Sequence, residues 1–341
     1  TNLVTGLATI DGLLSLSGNT TMTGGYLGDG RIRFSGNDST LSNGASVQVG
    51  SVYVTSGSGT NSGLLTVSGS TINTEHLVVL DSAQPAASAT MQVVDNSTVN
   101  VFNPTTELGR LDIGGVIANT NAQLIVDGNS SSQQPSVNVE GGIYLGVGDR
   151  GDPAYGRLEV VHGGRVEAGA DVQIGGPRYF LNQDWIQEGK GFVVVGGESA
   201  ASGAEAELVV GGNVNIGQNT PGGEASLSLA EGGHIRANTL TLNAPGTYDQ
   251  TGGTLEVQNL QVNNTQSFDH TGGNIFLSGG MGSFDADYAF GGSASNTPAI
   301  YVHTGADLTT PSGWTIGDEP GEFGHTAVGG ALPGGSRRST L

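Results

Sequence analysis

The chain has 341 residues, of which 60 are glycine and 6% are aromatic, and its formal net charge is −20. So much glycine without a strict period of three excludes collagen and argues against packed helical layers. The acidic excess opposes binding to nucleic acid or insertion into an anionic membrane, and the lack of cysteine excludes disulfides and zinc-thiolate sites.

The first fifty residues alternate apolar and polar side chains in short runs. The runs are LLSLSG (13–18), RIRFSG (31–36) and ASVQVG (45–50). A period of two is typical of strands with one buried face. These runs match one another less closely than later ones do. We therefore predict that residues 1–50 form N-terminal turns and a cap over an exposed sheet edge.

The clearest repeating unit is GRLEVVHGGRVEAGADVQIGG, residues 156–176. Glycine corners divide it into three short runs, which predict three strands joined by tight bends. One such turn cannot bury its own apolar face, so neighbouring copies must stack on it. The side chains predicted to point inward are Leu158, Val160, Val166, Ala168, Val172 and Ile174.

Related copies continue as far as residue 282. In ASLSLAEGGHIRANTLTLN (225–243) the predicted inward residues are Leu227, Leu229, Ile235, Leu240 and Leu242. Residues 247–262 and 267–282 match at an offset of twenty, which aligns Tyr248 with Phe268 and Asp249 with Asp269. Residues 51–282 therefore predict an all-β solenoid with three short strands per turn.

One segment, residues 177–191, interrupts the repeats with PRYFLNQDWIQEGKG. Arginine and aromatic side chains are enriched at recognition surfaces, so the segment is a candidate contact loop for a protein neighbour or a sugar. A flap covering one flank of the solenoid is the alternative, and both interpretations stay open. The candidate interface residues are Arg178, Tyr179, Phe180, Trp185 and Lys190.

From residue 283 the glycine corners no longer recur at regular intervals. We interpret residues 283–341 as a C-terminal cap followed by an extended tail, residues 322–341. The tail offers few side chains to bury, among them Phe323, Val328 and Leu332. We expect such a tail to be ordered only against a partner, and a second copy of the chain is the most available one.

Catalytic chemistry of the kind found on parallel solenoids needs two carboxylates that flank a glycosidic bond, or a calcium ion with a basic residue. The candidates are Asp249, Asp269, His270, Asp285 and Asp287. Because Asp249 and Asp269 occupy equivalent positions in successive copies, they predict a stacked pair rather than a unique site. We expect no enzyme activity.

Metal binding has weak support in the sequence. Asp149 and Asp152 lie in a loop that lacks the calcium-binding nonapeptide, and turn chemistry accounts for both. The histidines, at positions 76, 162, 234, 270, 303 and 325, show no ligand spacing. We expect no cofactor and leave calcium open as an exception.

The run from Leu158 to Ala237 resembles the glycine-rich repeats of bacterial secreted β-helix proteins, the autotransporter passenger-like repeats. The resemblance covers residues 120–280 well and the first 120 residues loosely. It implies a right-handed parallel β-helix that is exported and placed at the cell surface or outside the cell. It carries over no catalytic residue.

Two functions follow as expectations. In the first, the protein is a structural subunit that associates head to tail with itself into an extracellular filament, since unlike ends generate an open assembly. In the second, it is a monomeric adhesin that binds glycans or a neighbouring cell surface. Its high negative charge means that assembly would need salt, divalent cations or complementary patches.

Overall fold

A computed structural model describes the chain from residue 2 to residue 328, with gaps. The gaps are residues 5–6, 10–12, 17–19, 23–24, 28–29, 36–37, 57–61, 81–86, 104–108, 115–119, 129–132, 147–153, 177–188, 198–202, 218–222, 293–296, 303–305, 312–313 and 317–323.

The described residues form 32 strands and one short 3-10 helix, Thr265–Ser267. From the start of the chain the strands are β1 (Asn2–Val4), β2 (Leu7–Thr9), β3 (Leu13–Leu16), β4 (Thr20–Met22), β5 (Gly25–Leu27), β6 (Arg31–Phe34), β7 (Ser39–Leu41), β8 (Ser46–Val54), β9 (Ser62–Ser68), β10 (Thr71–Val79), β11 (Ser88–Val94), β12 (Thr98–Val101), β13 (Arg110–Ile113), β14 (Asn121–Asp127), β15 (Ser136–Val139) and β16 (Ile143–Leu145). They continue with β17 (Tyr155–Val161), β18 (Arg165–Ala168), β19 (Val172–Ile174), β20 (Lys190–Val195), β21 (Ala206–Val210), β22 (Asn213–Ile216), β23 (Glu224–Leu229), β24 (Gly233–Leu242), β25 (Gly246–Val262), β26 (Phe268–Leu277), β27 (Gly280–Phe284), β28 (Tyr288–Phe290), β29 (Ala299–Val302), β30 (Ala306–Thr309), β31 (Trp314–Ile316) and β32 (His325–Val328).

The strands stack in three parallel columns, here called faces A, B and C, which the chain visits in that order from β1 to β27. Face A contains β1, β4, β7, β9, β11, β14, β17, β20, β23 and the first residues of β25 and β26. Face B contains β2, β5, β12, β15, β18, β21, β29, β32 and segments of β8, β10, β24, β25 and β26. Face C contains β3, β6, β13, β16, β19, β22, β27, β30 and the last residues of β8, β10, β24 and β25. The strands β28 and β31 pair in a separate two-stranded sheet.

This arrangement is the parallel β-helix with three strands per turn that the glycine-punctuated repeats predict. The unit at residues 156–176 folds as β17, β18 and β19, one strand on each face. Its apolar side chains face a continuous core because alternation directs every second residue inward. All six predicted inward residues of this unit and all five of the 225–243 unit are at most 1% exposed.

Glycine at the corner between faces C and A has a steric reason, which Gly146 illustrates. Its φ of +63° lies in the left-handed region, and a Cβ there would come within 1.9 Å of the Lys190 carbonyl oxygen. The next turn stacks directly on this corner. The glycine that follows β19 on that turn, Gly175, also has a positive φ, of 64°. Side chains at such corners would separate neighbouring turns, so stacking requires glycine.

The structure corrects one predicted boundary. Lys190 and Gly191 belong to β20 and pair with Tyr155 and Gly156 of β17, so the interruption of the repeats ends before Lys190.

Described strands of the same three faces lie on both sides of residue 50 and of residue 283. The strand β32, which lies within the predicted tail, pairs with β29. The division into caps and repeats stays a prediction.

Candidate functional site

A groove of about 920 Å³ runs along the corner between faces B and C. Five successive turns line it, because each of β8, β10, β12, β15 and β18 contributes residues at its face B end or at the bend that follows. Its direction is therefore along the solenoid axis, across the strands. A site of this shape suits an extended ligand with a repeating structure.

A ladder of amide side chains forms the floor of the groove. Asn73, Asn100 and Asn138 are register partners on β10, β12 and β15. The Asn100 Nδ2 donates to Asn73 Oδ1 at 2.8 Å, and the Asn138 Nδ2 donates to Asn100 Oδ1 at 2.9 Å. Gln48 precedes this ladder in register and Glu167 follows it. Each amide carries two N–H groups and two lone pairs, so a bond to each neighbour leaves capacity for a ligand.

The bend after β12 presents Phe102 to solvent with 51% of its surface exposed. Its backbone N–H donates to the Thr74 carbonyl at 2.7 Å, which fixes the bend against the preceding turn. Val99 and Val101 are buried, so the alternation of β12 itself directs Phe102 outward. An aromatic ring in this position offers a flat apolar surface beside hydrogen-bonding groups.

Three carboxylates flank the amide ladder, those of Glu75, Glu140 and Glu167. Glu167 also pairs with Arg165, at 3.0 Å between Oε2 and Nη2. No lysine or arginine is among the described residues that line the groove. The groove can therefore accept hydrogen bonds from hydroxyl or amine groups, and it repels anions.

The predicted interface residues lie elsewhere or outside the described part of the chain. Arg178, Tyr179, Phe180, Trp185, Phe323 and Leu332 lie outside the described residues. Val328 ends β32, opposite Val302 of β29. Lys190 lies on face A, where its Nζ is 2.6 Å from Glu224 Oε1 and 5.1 Å from the Tyr155 ring centroid. The hydrogen bond that the Lys190 Nζ donates to Glu224 raises the pKa of Lys190. The role of all the predicted interface residues stays a prediction.

The candidate catalytic residues take different positions in the structure. Asp249 and Asp269 are register partners on the outside of face A, as their equivalent positions predict, and burial together with the charge of Asp269 raises the pKa of Asp249. His270 points into the core and is 1% exposed. Asp285 accepts hydrogen bonds from the Thr265 N–H and hydroxyl, and the hydroxyl bond lowers its pKa. Asp149 and Asp152 lie outside the described residues.

Sequence reasoning did not identify the groove. The asparagines of the ladder are 27 and 38 residues apart, since the loops between turns differ in length, and this spacing conceals their register. One usable signal was present, because Phe102 continues the alternation of TVNV as an outward residue.

Comparison of the chain with protein-family models, with curated proteins and with solved structures finds no match. Among the described residues, no helix has the length and apolar character to cross a membrane.

Proposed function

We propose that the protein is a non-enzymatic, extracellular β-helix that binds an uncharged, extended polysaccharide in the groove between faces B and C. The observation that carries this proposal is the amide ladder of Asn73, Asn100 and Asn138 beside the exposed ring of Phe102. Amides recognise sugar hydroxyls as both donor and acceptor, and an aromatic face packs against the apolar face of a pyranose ring.

The spacing of the groove supports a repeating ligand. Neighbouring strands in a sheet lie about 4.8 Å apart, so the solenoid presents one amide at this interval. That interval is comparable with the length of one sugar unit in an extended glycan. A chain lying along the axis can then meet the same chemistry at successive units.

The charge of the groove selects among glycans. Glu75, Glu140 and Glu167 line it, and the whole chain carries a formal net charge of −20. An anionic polysaccharide would be repelled at close range. Carboxylates accept hydrogen bonds from sugar hydroxyls, which favours a neutral glycan.

We expect a neutral hexasaccharide to bind with a dissociation constant in the micromolar to millimolar range, as is usual for open polar sites. Isothermal titration calorimetry with cellohexaose, xylohexaose, chitohexaose and hexagalacturonate measures it. Phe102→Ala should weaken the binding at least about tenfold, which corresponds to about 1.4 kcal/mol. Asn100→Leu should also weaken it, because it removes the central amide of the ladder.

Met281→Ala is the matched control, since Met281 is exposed to a similar extent, 46%, but is not among the residues that line the groove. It should bind the hexasaccharide like the wild type. Absence of binding by all three neutral sugars, or equal binding by wild type and Phe102→Ala, would contradict the proposal.

End-to-end association is a second candidate function, and described strands that pair on one side only favour it. Among the described strands, β2 and β3 pair only with the turn that follows, and β30 and β32 pair only with the turn that precedes. Unpaired parallel edges with the same three-face arrangement can continue from one copy to another.

A chain ending at Pro320 lacks β32 and should fail to associate under this second hypothesis. Negative-stain electron microscopy and analytical ultracentrifugation, with and without calcium, compare it with the full chain. Fibres that vanish on truncation are the expected result. Separate short rods formed by both chains in every condition would count against self-association and leave glycan binding unaffected.

A further inference from the structure

Face B carries a second polar cluster, on the two turns that follow the groove. Glu205 immediately precedes β21, Glu207 lies within it, and His234 lies on β24. Glu207 and His234 are direct register partners. One ligand atom from each of the three residues lies within 4.8 Å of the others. Residues far apart in sequence therefore bring an imidazole and two carboxylates together.

The separation between His234 and Glu205 fits a shared metal ion better than a direct hydrogen bond. The His234 Nδ1 is 3.7 Å from Glu205 Oε2, which is too far for a hydrogen bond. Zinc binds nitrogen and carboxylate oxygen at about 2.0–2.2 Å, so two ligands of a tetrahedral ion are about 3.4 Å apart. The Glu205 side chain is 64% exposed, which leaves it free to rotate toward an ion.

The other nitrogen of the same imidazole faces a carboxylate. The His234 Nε2 is 3.7 Å from Glu256 Oε2. It is buried and has no hydrogen-bond partner among the described residues. Histidines that bind zinc usually direct their second N–H at a carboxylate, which fixes the ring and the tautomer. At 3.7 Å this contact is also too long for a hydrogen bond, so the Glu256 carboxylate attracts a proton on Nε2 by its charge, which would leave the Nδ1 lone pair for a metal.

The charges around the cluster leave a negative excess. Arg236 lies 3.3 Å from Glu256, and Arg165 contacts both Glu207 and Glu167. This region thus holds four carboxylates, those of Glu167, Glu205, Glu207 and Glu256, against two guanidinium groups. A divalent cation at His234 would balance this excess, although Arg165 competes with it for Glu207.

We propose that Glu205, Glu207 and Nδ1 of His234 bind a zinc ion, with Glu256 as the residue that positions the imidazole. Three protein ligands leave the fourth position of a tetrahedral zinc to water. The ion would link the turn of β21 to the turn of β24. An imidazole ligand favours zinc over calcium and magnesium, which prefer oxygen ligands alone.

Isothermal titration calorimetry of the full chain with zinc chloride at pH 7.5 tests the proposal. We expect one saturable site that calcium and magnesium do not occupy. His234→Ala and Glu205→Gln should each abolish saturable binding. Glu256→Gln should weaken it about 10- to 100-fold, because it removes the group that orients the ring.

His162→Ala is the matched control, because His162 is also a surface histidine paired with a carboxylate, Asp127, at 2.9 Å. It should bind zinc like the wild type. Glu205 is exposed, so Glu205→Gln keeps the test valid should His234→Ala disturb the fold. Zinc binding that is absent from the wild type, or that persists in Glu205→Gln and His234→Ala, would overturn the proposal.

Discussion

Replacing Phe268 with alanine is expected to lower the free energy of unfolding by about 3–5 kcal/mol, the usual cost of removing a buried aromatic ring. Phe268 is 5% exposed and stacks on Tyr248 with ring centroids 4.7 Å apart. Its ring also makes edge contacts with Phe284 and Tyr288, at 5.6 and 5.3 Å. Alanine would leave a cavity among three large rings, which the stacked turns cannot close.

The same strand supplies the control. Phe276 lies on β26 like Phe268, but it points outward and stacks on Tyr301, also with centroids 4.7 Å apart. Phe276→Ala should cost only about 0.5–1.5 kcal/mol, because it removes a half-buried aromatic pair without opening the core. Urea unfolding followed by circular dichroism compares the two variants, and hydrogen exchange in β25 and β26 localises the change. Equal losses would contradict the assignment of the two faces.

The fold could be predicted from the sequence because its cause is local. Inward positions such as Leu158 and Val160 alternate with polar residues, and glycine marks the corners. The offset of twenty between Tyr248 and Phe268 is the length of one turn without loops, so the alignment gave their register directly. Elsewhere the loops vary in length, and register between turns could not be counted along the chain.

The candidate sites depend on that register, which is why they were harder to predict. The ladder of Asn73, Asn100 and Asn138 and the pairing of Glu207 with His234 appear only when turns of unequal length are stacked. His270 differs, because alternation alone places it beside Phe268 on the inward face. Treating it as a catalytic candidate overlooked this signal.

His270 is expected to make the protein less stable in acid. It is 1% exposed, and its ring stacks on Phe290 with centroids 5.6 Å apart. The Nε2 donates to the Gly273 carbonyl at 3.3 Å, while Nδ1 is buried without a hydrogen-bond partner among the described residues. Burial lowers the pKa of His270 from 6.5 to about 4, because the core cannot solvate an imidazolium ion.

The sign of the effect follows from proton linkage. Between pH 6.5 and about 4 the unfolded chain binds a proton at His270 and the folded chain does not. Stability from the neutral imidazole is therefore complete above pH 6.5 and declines as the pH falls toward 4. The shift corresponds to a loss of about 3 kcal/mol at the acid end of this range.

Urea unfolding of the wild type and of His270→Gln at several pH values between 4 and 7.5 measures this contribution. Gln250 occupies the equivalent position in the preceding turn, where its Nε2 donates to the Asn274 carbonyl at 3.1 Å, so glutamine fits the column.

Carboxylates with lowered pKa values, such as Asp112, also make both proteins less stable in acid. The expected result is that the variant loses about 3 kcal/mol less than the wild type between pH 6.5 and 4. Identical slopes for wild type and His270→Gln would show that His270 is not held neutral in the core.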